Sequence, residues 1–336
     1  MTESRGVHET IASIAAPLGG TVGVAAQNLA SGAAIHVAAD ELYPMASCFK
    51  IPIMVETMRQ VDAGRLRLDD RLTLTEADKS PGSTLIHCHE GLRPSVRDLL
   101  YLMITLSDNT ATDMLWRLAG LGSVNETMRE LGLPGIDCFW PNREYYLIEC
   151  GAGEEWAGLS GAEIVAHWRD IEVRGEHEAA LARILEENAR LTGSGFLRLY
   201  ERRWGLDESR GFEDAFVVDQ ALDNKGTPRQ MAELLAMIAQ YRCATGPSCR
   251  LMIEVMAHQE WREKIPAGLP DGVFVANKTG GVSGTSNDAA IVCTPGGAPL
   301  VMVVFWKGLS YEATAGAPGA IAAIAGALYD SLGAPA

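Results

Sequence analysis

The chain has 336 residues, of which 47% are hydrophobic and 21% are charged, and its formal net charge is −15 at pH 7. This length and composition predict a globular enzyme of one or two domains with an ample core. The negative charge argues against nucleic acid as a partner, because phosphate binding needs a basic surface. No apolar run is long enough to span a bilayer, so we expect no membrane partner.

The first residues and the cysteines bear on the compartment. The N-terminal segment lacks a basic stretch followed by an apolar one, so no secretory signal is visible in this chain. The seven cysteines are an odd number without regular spacing, which suits a reducing environment. These features together predict a cytoplasmic location.

The chain opens with the pattern of a helix followed by two strands. Residues 7–16 have helical periodicity, and residues 21–29 and 33–38 are predicted strands joined by a Ser-Gly turn. Later strands are predicted at residues 273–276, 289–293 and 300–306, and an Ala/Gly-rich helix at 313–327 closes the chain. The order predicts an α+β fold, with an antiparallel sheet from residues 1–45 and 226–336 and a helical part from 46–225.

A Ser-x-x-Lys motif, Ser47 to Lys50, precedes a dense apolar run that stops at Gly64. Residues three apart lie on one face of a helix, so Lys50 would sit one turn from the Ser47 hydroxyl. A serine needs a base within reach to act as a nucleophile. Burial beside the cation Lys278 would lower the pKa of Lys50 toward that of a usable base. The alternative is that Ser47 merely caps the helix and that Lys50 is a surface lysine.

The next helix is predicted over residues 96–106, an almost wholly apolar run that should be buried. Ser95 and Asp98 have the spacing of a capping box at its start.

The polar triplet Ser107-Asp108-Asn109 ends this buried run. Polar groups at the end of a buried helix must find partners or line a cavity. Ser107 could pass a proton to a leaving nitrogen, and Asn109 could hold Lys50 and a substrate carbonyl. The alternative is an ordinary loop at a helix C-terminus.

Residues from about 150 to 220 form an enlarged acidic insertion that contains Trp156, Trp168 and Trp204. We expect extra helices here, serving as a lid or an oligomer contact. A solvated acidic decoration is the alternative.

The triplet Lys278-Thr279-Gly280 follows the first of the late strands. Lys278 and Thr279 would take a substrate carboxylate, and the backbone N–H groups of Gly281 and Ser47 would form an oxyanion hole. The alternative is the end of a hairpin with a solvated lysine.

The three motifs in this order resemble those of the class A β-lactamases, in the penicillin-recognising superfamily. The segments 110–113, 227–232 and 284–288 continue the family pattern. The resemblance implies a class A β-lactamase-like fold and a site without cofactor or metal. The residues that it implies for catalysis and substrate binding are Ser47, Lys50, Ser107, Asn109, Lys278, Thr279 and Gly281.

The chain departs from this family in the segment that class A enzymes use for deacylation. Class A enzymes carry Glu-x-x-Leu-Asn, in which the Glu and the Asn hold the hydrolytic water. The matching segment starts at Glu144 and has Leu147 in register, but Ile148 replaces the Asn. Glu144 is thus the expected general base, while half of the hydrogen bonding to the water is lost. The alternative is that Glu144 is a surface carboxylate.

We expect a serine hydrolase that forms an acyl-enzyme on Ser47 and hydrolyses a β-lactam or a related amide with a nearby carboxylate. Two alternatives stay open: a cytosolic amidase, esterase or acyltransferase with little β-lactamase activity, and a β-lactam-binding sensor or pseudoenzyme that acylates without turnover. The expected partner is a small amide or lactam, and the oligomeric state stays open.

His87 and His89 flank Cys88 but lack the spacing of a zinc set, so we expect no metal.

Overall fold

The computed structural model describes residues 2–205, 208–294 and 299–333. Its strands are β1 (Thr21–Asn28), β2 (Ala34–Val37), β3 (Tyr43–Pro44), β4 (Lys225–Gly226), β5 (Phe274–Val282), β6 (Thr285–Cys293) and β7 (Pro299–Lys307). Its helices are α1 (Thr2–Ala15), α2 (Lys50–Asp62), α3 (Val96–Thr105), α4 (Asn109–Ala119), α5 (Leu121–Glu130), α6 (Asn142–Glu149), α7 (Gly161–Arg174), α8 (His177–Glu187), α9 (Gly193–Trp204), α10 (Glu208–Leu222), α11 (Pro228–Ala239), α12 (Gly246–Ala257), α13 (Tyr311–Thr314) and α14 (Ala317–Leu332).

The described residues form two compact units. The first comprises the described residues within 1–66, 122–138 and 224–336, and the second comprises those within 67–121 and 139–223. Helix α2 and the turn that bears Ser47 belong to the first unit, whereas the sequence assigns them to the helical part. The boundaries at 45/46 and 225/226 stay a prediction about how the chain divides.

A five-stranded antiparallel sheet organises the described part of the first unit, in the order β2-β1-β7-β6-β5. Strand β1 comes from the N-terminal part of the chain and pairs with β7 from the C-terminal part, from Thr21 opposite Lys307 to Asn28 opposite Leu300. Strand β6 pairs with both β5 and β7. The predicted α+β class, with a sheet drawn from both chain ends, is confirmed.

One face of this sheet is covered by the two terminal helices. Alternate residues of a strand point to the same face, and Val24 of β1, Val304 of β7 and Val292 of β6 share an apolar core with Ile11 of α1 and Ile324 of α14. Helix α11 packs against β1, β6 and β7, and α12 packs against β5. The sheet therefore gives β5 a rigid support.

The second unit has its own core, which the insertion shares with α6. Trp156, Trp168 and Phe196 of the insertion are buried together with Leu147 and Ile148 of α6. The described part of the insertion contains α7, α8, α9 and α10. This shared core is not what a merely solvated decoration would form.

Among the described residues, no helix is both long and apolar enough to cross a membrane.

Candidate active site

Ser47 lies in a single 3-10 turn, Ala46–Phe49, that leads directly into α2. Ala46 has φ +43°, a backbone conformation that is costly for a residue other than glycine and that is often kept at functional sites. No side chain caps this turn or α2, and Lys50, the first residue of α2, is 0% exposed. The alternative of a capping serine with a surface lysine is therefore wrong.

Gly280 brings the Lys-Thr-Gly strand against the serine turn. A Cβ built on Gly280 would lie 2.7 Å from the carbonyl oxygen of Met45 and 3.1 Å from the backbone nitrogen of Ser47. Only a residue without a side chain allows this approach. Gly281 is different, since a Cβ there would meet only the carbonyl oxygen of Thr285, at 3.8 Å. The structure thus joins the first and third motifs within one unit and leaves space beside Gly281.

Lys278 lies inside the nine-residue strand β5 and is 0% exposed, so the alternative of a solvated lysine at a hairpin end is wrong. Its Nζ donates a hydrogen bond to the carbonyl oxygen of Thr279 at 2.8 Å. Burial lowers the pKa of Lys278 to about 8, against the opposing charges of Cys48 and Asp288. Thr279, the next residue of the motif, is 7% exposed.

A second buried lysine, Lys264, links this strand to its neighbour β6. Its Nζ donates to the carbonyl oxygen of Gly280 at 2.9 Å and to that of Asn287 at 3.0 Å, so it ties β5 to β6. Burial lowers the pKa of Lys264, and its charge in turn contributes to the lowered pKa of Lys278. Sequence reasoning missed Lys264, because it stands in a polar stretch where a lysine is typical of a solvated loop.

Asn287 fixes the chain that leads into the serine turn. Its Nδ2 donates to the carbonyl oxygens of Pro44 at 2.8 Å and Met45 at 3.0 Å, and its Oδ1 accepts from the backbone of Trp306 at 3.0 Å. One buried amide thereby links β6, β7 and the residues just before Ser47. This gives a structural role to a residue that the sequence marks only as part of a family segment.

Cys48, next to the nucleophile candidate, is buried, and its thiol contacts the carbonyl oxygen of Lys278 at 3.3 Å. This contact fits a packed small side chain.

In the second unit, the Ser107-Asp108-Asn109 triplet forms the junction between α3 and α4. Ser107 has φ +60°, which is again unusual for a residue with a side chain. Asp108 caps α4 by accepting from the backbone of Ala111 at 2.8 Å. Asn109 Nδ2 donates to the carbonyl oxygen of Pro81 at 2.8 Å, and a Cβ on Gly82 would lie 2.7 Å from that nitrogen. The triplet is therefore held in a defined conformation.

The start of α6 is held by Asp113 of α4. Its carboxylate accepts from the backbone and the side-chain nitrogen of Asn142, each at 2.8 Å, and from the backbone of Arg143 at 2.7 Å. Burial, and then the charge of Glu144, raise the pKa of Asp113 to about 6, although Arg117 and the donated hydrogen bonds oppose this. Asp113 therefore anchors the helix turn that carries Glu144.

Glu144 lies in the first turn of α6 and is only 2% exposed, so the alternative of a surface carboxylate is wrong. Nη2 of Arg117 contacts both of its carboxylate oxygens, at 2.6 Å and 2.5 Å. Sequence reasoning missed Arg117, because it lies 27 residues from Glu144 in the chain and on a different helix. The carboxylate that the resemblance assigns to the hydrolytic water is thus engaged in an ion pair.

Ile148 lies one turn after Glu144 and is 1% exposed, in the apolar cluster that includes Leu147, Trp140 and Trp168. An apolar side chain offers the water no hydrogen bond. Within the described ranges, no group of three or more His, Cys, Asp or Glu side chains is arranged to hold a metal ion.

The structure thus distributes the predicted site residues over the two units. Ser47, Lys50, Lys278, Thr279 and Gly281 belong to the first unit, and Ser107, Asn109 and Glu144 belong to the second. Within the first unit the serine turn meets the Lys-Thr-Gly strand, and within the second the Ser-Asp-Asn junction and the start of α6 are both anchored by α4 residues.

Comparison with known proteins gives a family for the chain. The model described as the beta-lactamase enzyme family matches residues 6–163 and 181–332. A beta-lactamase of Streptomyces cellulosae is 28% identical over 288 residues, which cover 84% of this chain and 70% of that protein. A beta-lactamase of Rhodobacter capsulatus is 31% identical over 134 residues, which cover 40% of this chain and 46% of that protein. The chain therefore matches less than half the length of this second relative.

Among solved structures, the beta-lactamase from Sphaerobacter thermophilus has a TM-score of 0.70 at 27% identity, and the superposition covers 99% of each chain. The predicted class A β-lactamase-like fold is confirmed by this similarity.

Proposed function

The chain belongs to the beta-lactamase enzyme family, and from that premise we propose that it hydrolyses a β-lactam, or a related amide with a nearby carboxylate, through an acyl-enzyme on Ser47. One observation carries this proposal: the close approach at Gly280 packs the serine turn against the strand of Lys278 and Thr279. A nucleophile and a carboxylate clamp held this close suit a substrate whose carboxylate lies near the reacting carbonyl.

In the proposed acylation, Ser47 Oγ attacks the carbonyl carbon and Lys50 accepts the hydroxyl proton. The C–N bond then breaks, Ser107 passes the proton from Lys50 on to the leaving nitrogen, and an ester remains on Ser47. The position of Lys50 one turn after Ser47 supports its role, since a general base must lie within hydrogen-bond reach of the proton that it takes. Asn109 binds the substrate carbonyl in this scheme.

The developing oxyanion is proposed to bind the backbone N–H groups of Ser47 and Gly281. Fixed backbone donors are effective here because they need no reorganisation during the reaction, and losing one costs roughly 10²–10³ in rate. The open space beside Gly281 and the rigid link from Asn287 to the chain before Ser47 support this role. The substrate carboxylate is proposed to bind Lys278 and Thr279.

Deacylation is proposed to be slow. Glu144 stands at the position of the family's general base, but Ile148 offers the water no second hydrogen bond. The ion pair of Glu144 with Arg117 favours a second candidate function, a β-lactam-binding protein that acylates and turns over very slowly. The two candidates differ in the rate of a single step.

Burst kinetics with a chromogenic cephalosporin test the proposal. With enzyme and substrate at similar concentrations, we expect a burst of about one equivalent followed by slow turnover, as for an acyl-enzyme that accumulates. One equivalent followed by no turnover would favour the sensor, and no reaction would favour an amidase or esterase acting on other substrates. Ser47→Ala should abolish the burst, and Cys48→Ala is the matched control that should keep it.

A further inference from the structure

The only charged side chain found hydrogen-bonded to Glu144 in the described part of the chain is that of Arg117. The guanidinium contacts both carboxylate oxygens, and the glutamate side chain is 3% exposed while that of the arginine is 33% exposed. A carboxylate has about four lone-pair sites on its two oxygens. The Arg117 guanidinium occupies sites on both oxygens, so a water molecule that needs this carboxylate as a base has to compete with it.

The protein around this pair holds it in place from two sides. Asp113 accepts three hydrogen bonds from Asn142 and Arg143, which fixes the backbone on the N-terminal side of Glu144. Nη1 of Arg143 donates in turn to the carbonyl oxygen of Lys79 at 2.5 Å. Arg117 lies on α4, the helix that also bears Asp113. The glutamate side of the ion pair is thus part of a buried network, so solvent screens the pair less than it would a pair on the surface.

We propose that Arg117 is a positioning residue that withholds the Glu144 carboxylate from the hydrolytic water and thereby sets a long lifetime for the acyl-enzyme. This inference rests on the proposed function, because it concerns the second step of that reaction. In that step water adds to the acyl carbonyl carbon while its proton passes to the Glu144 carboxylate. The bond to Ser47 Oγ then breaks, and Oγ takes up the proton that the Glu144 carboxyl received from the water.

Removing an ordinary supporting residue slows the step that it supports, whereas removing the Arg117 guanidinium should speed deacylation. A positioned general base is worth roughly 10²–10⁴ in rate. Removing Arg117 alone should recover only part of this factor, because the buried Ile148 still gives the water no hydrogen bond. Ile148→Asn is a poor test, since it would place an amide in the apolar cluster around Trp168.

The experiment measures acyl-enzyme lifetime by intact mass after a penicillin pulse, together with the acylation rate and thermal melting. Arg117→Met should shorten the lifetime at least about tenfold, a fraction of the worth of a general base, and should leave acylation nearly unchanged. Arg117→Lys keeps the positive charge and should keep the long lifetime. Arg183→Met, which removes a more exposed ion pair with Glu155 in the same unit, is the matched control. It should change neither the acyl-enzyme lifetime nor the acylation rate.

A double-mutant cycle with Glu144→Gln gives a second readout. Glu144→Gln should lengthen the lifetime in both backgrounds, and much more in the Arg117→Met background than in the wild type, because the wild-type carboxylate is already engaged. The inference is overturned if Arg117→Met acylates normally but keeps or lengthens the lifetime. If Arg117→Met does not fold, Arg117→Gln is measured in its place, and a lifetime no shorter than that of the wild type overturns the inference. Absence of an adduct in the wild type would overturn the proposed function itself, and this inference with it.

Discussion

The buried lysine of β5 predicts a specific pH dependence of acylation. The pKa of Lys278 is lowered to about 8 by burial, so its ammonium is charged below this pH and neutral above it. A substrate carboxylate gains from the charged form only. We therefore expect kcat/KM for an anionic β-lactam to fall as the pH rises through 8, and not at the higher pH typical of an exposed lysine.

The size of the effect follows from the charged fraction. Between pH 7 and pH 9 the charged fraction of a group with a pKa of 8 falls from about nine-tenths to about one-tenth. A hydrogen bond to a charged group is worth about 1.5–3 kcal/mol, or more than tenfold in rate. The charged fraction is thus limiting, and kcat/KM should fall by roughly tenfold over this range.

The assay compares a chromogenic cephalosporin with its methyl ester from pH 6 to 10. The ester lacks the carboxylate and should show no fall near pH 8, and Lys278→Arg, which stays charged throughout, should remove the fall for the acid. If acid and ester fall together, another group titrates, such as the base of the acylation step. A flat profile for both would refute the carboxylate clamp at Lys278.

Three further predictions concern the same unit. Lys278→Met should stabilise the fold at pH 7 by up to about 3 kcal/mol, because the folded state, which lowers the pKa of Lys278, holds its proton less tightly than the unfolded chain does. This gain should shrink as the pH rises from 8 towards 10.5, and urea denaturation at pH 7 and near pH 10.5 measures the difference. Gly280→Ala should reduce acylation and cost about 1–3 kcal/mol of stability, since the Cβ would lie 2.7 Å from the carbonyl oxygen of Met45; Gly122→Ala, with nothing within 4 Å, is its control, and equal behaviour of the two would contradict the close approach. Lys50→Ala should slow acylation by about 10²–10⁴ in a stopped-flow burst, and a near-normal rate would mean that another base serves.

Local patterns predicted the elements of this fold well. Ser95 and Asp98 form the capping box that their spacing indicates, and the apolar run after them becomes the buried helix α3. The strand patterns near both ends of the chain pair in one antiparallel sheet. The capping box and the strand patterns depend on residues close together in the chain, which the sequence shows directly, whereas the pairing of the terminal strands was predicted from the order of the elements.

The supporting residues of the site were not predictable in this way. Lys264, Asn287 and Arg117 act through contacts with residues that are distant in the chain, such as the 243-residue separation between Asn287 and Pro44. Nothing in the local composition separates such a lysine or arginine from a solvated one. The sequence did indicate a weakness at Ile148, but only the structure shows that Glu144 is also engaged by an ion pair.

The central claim is the acyl-enzyme on Ser47, and the most direct test is peptide mapping after a short reaction with benzylpenicillin. The account predicts one adduct per chain with the mass of the intact substrate, located on Ser47 and absent in a folded Ser47→Ala variant. An adduct on Cys48 with Ser47 unmodified, or an adduct that survives Ser47→Ala, would contradict it.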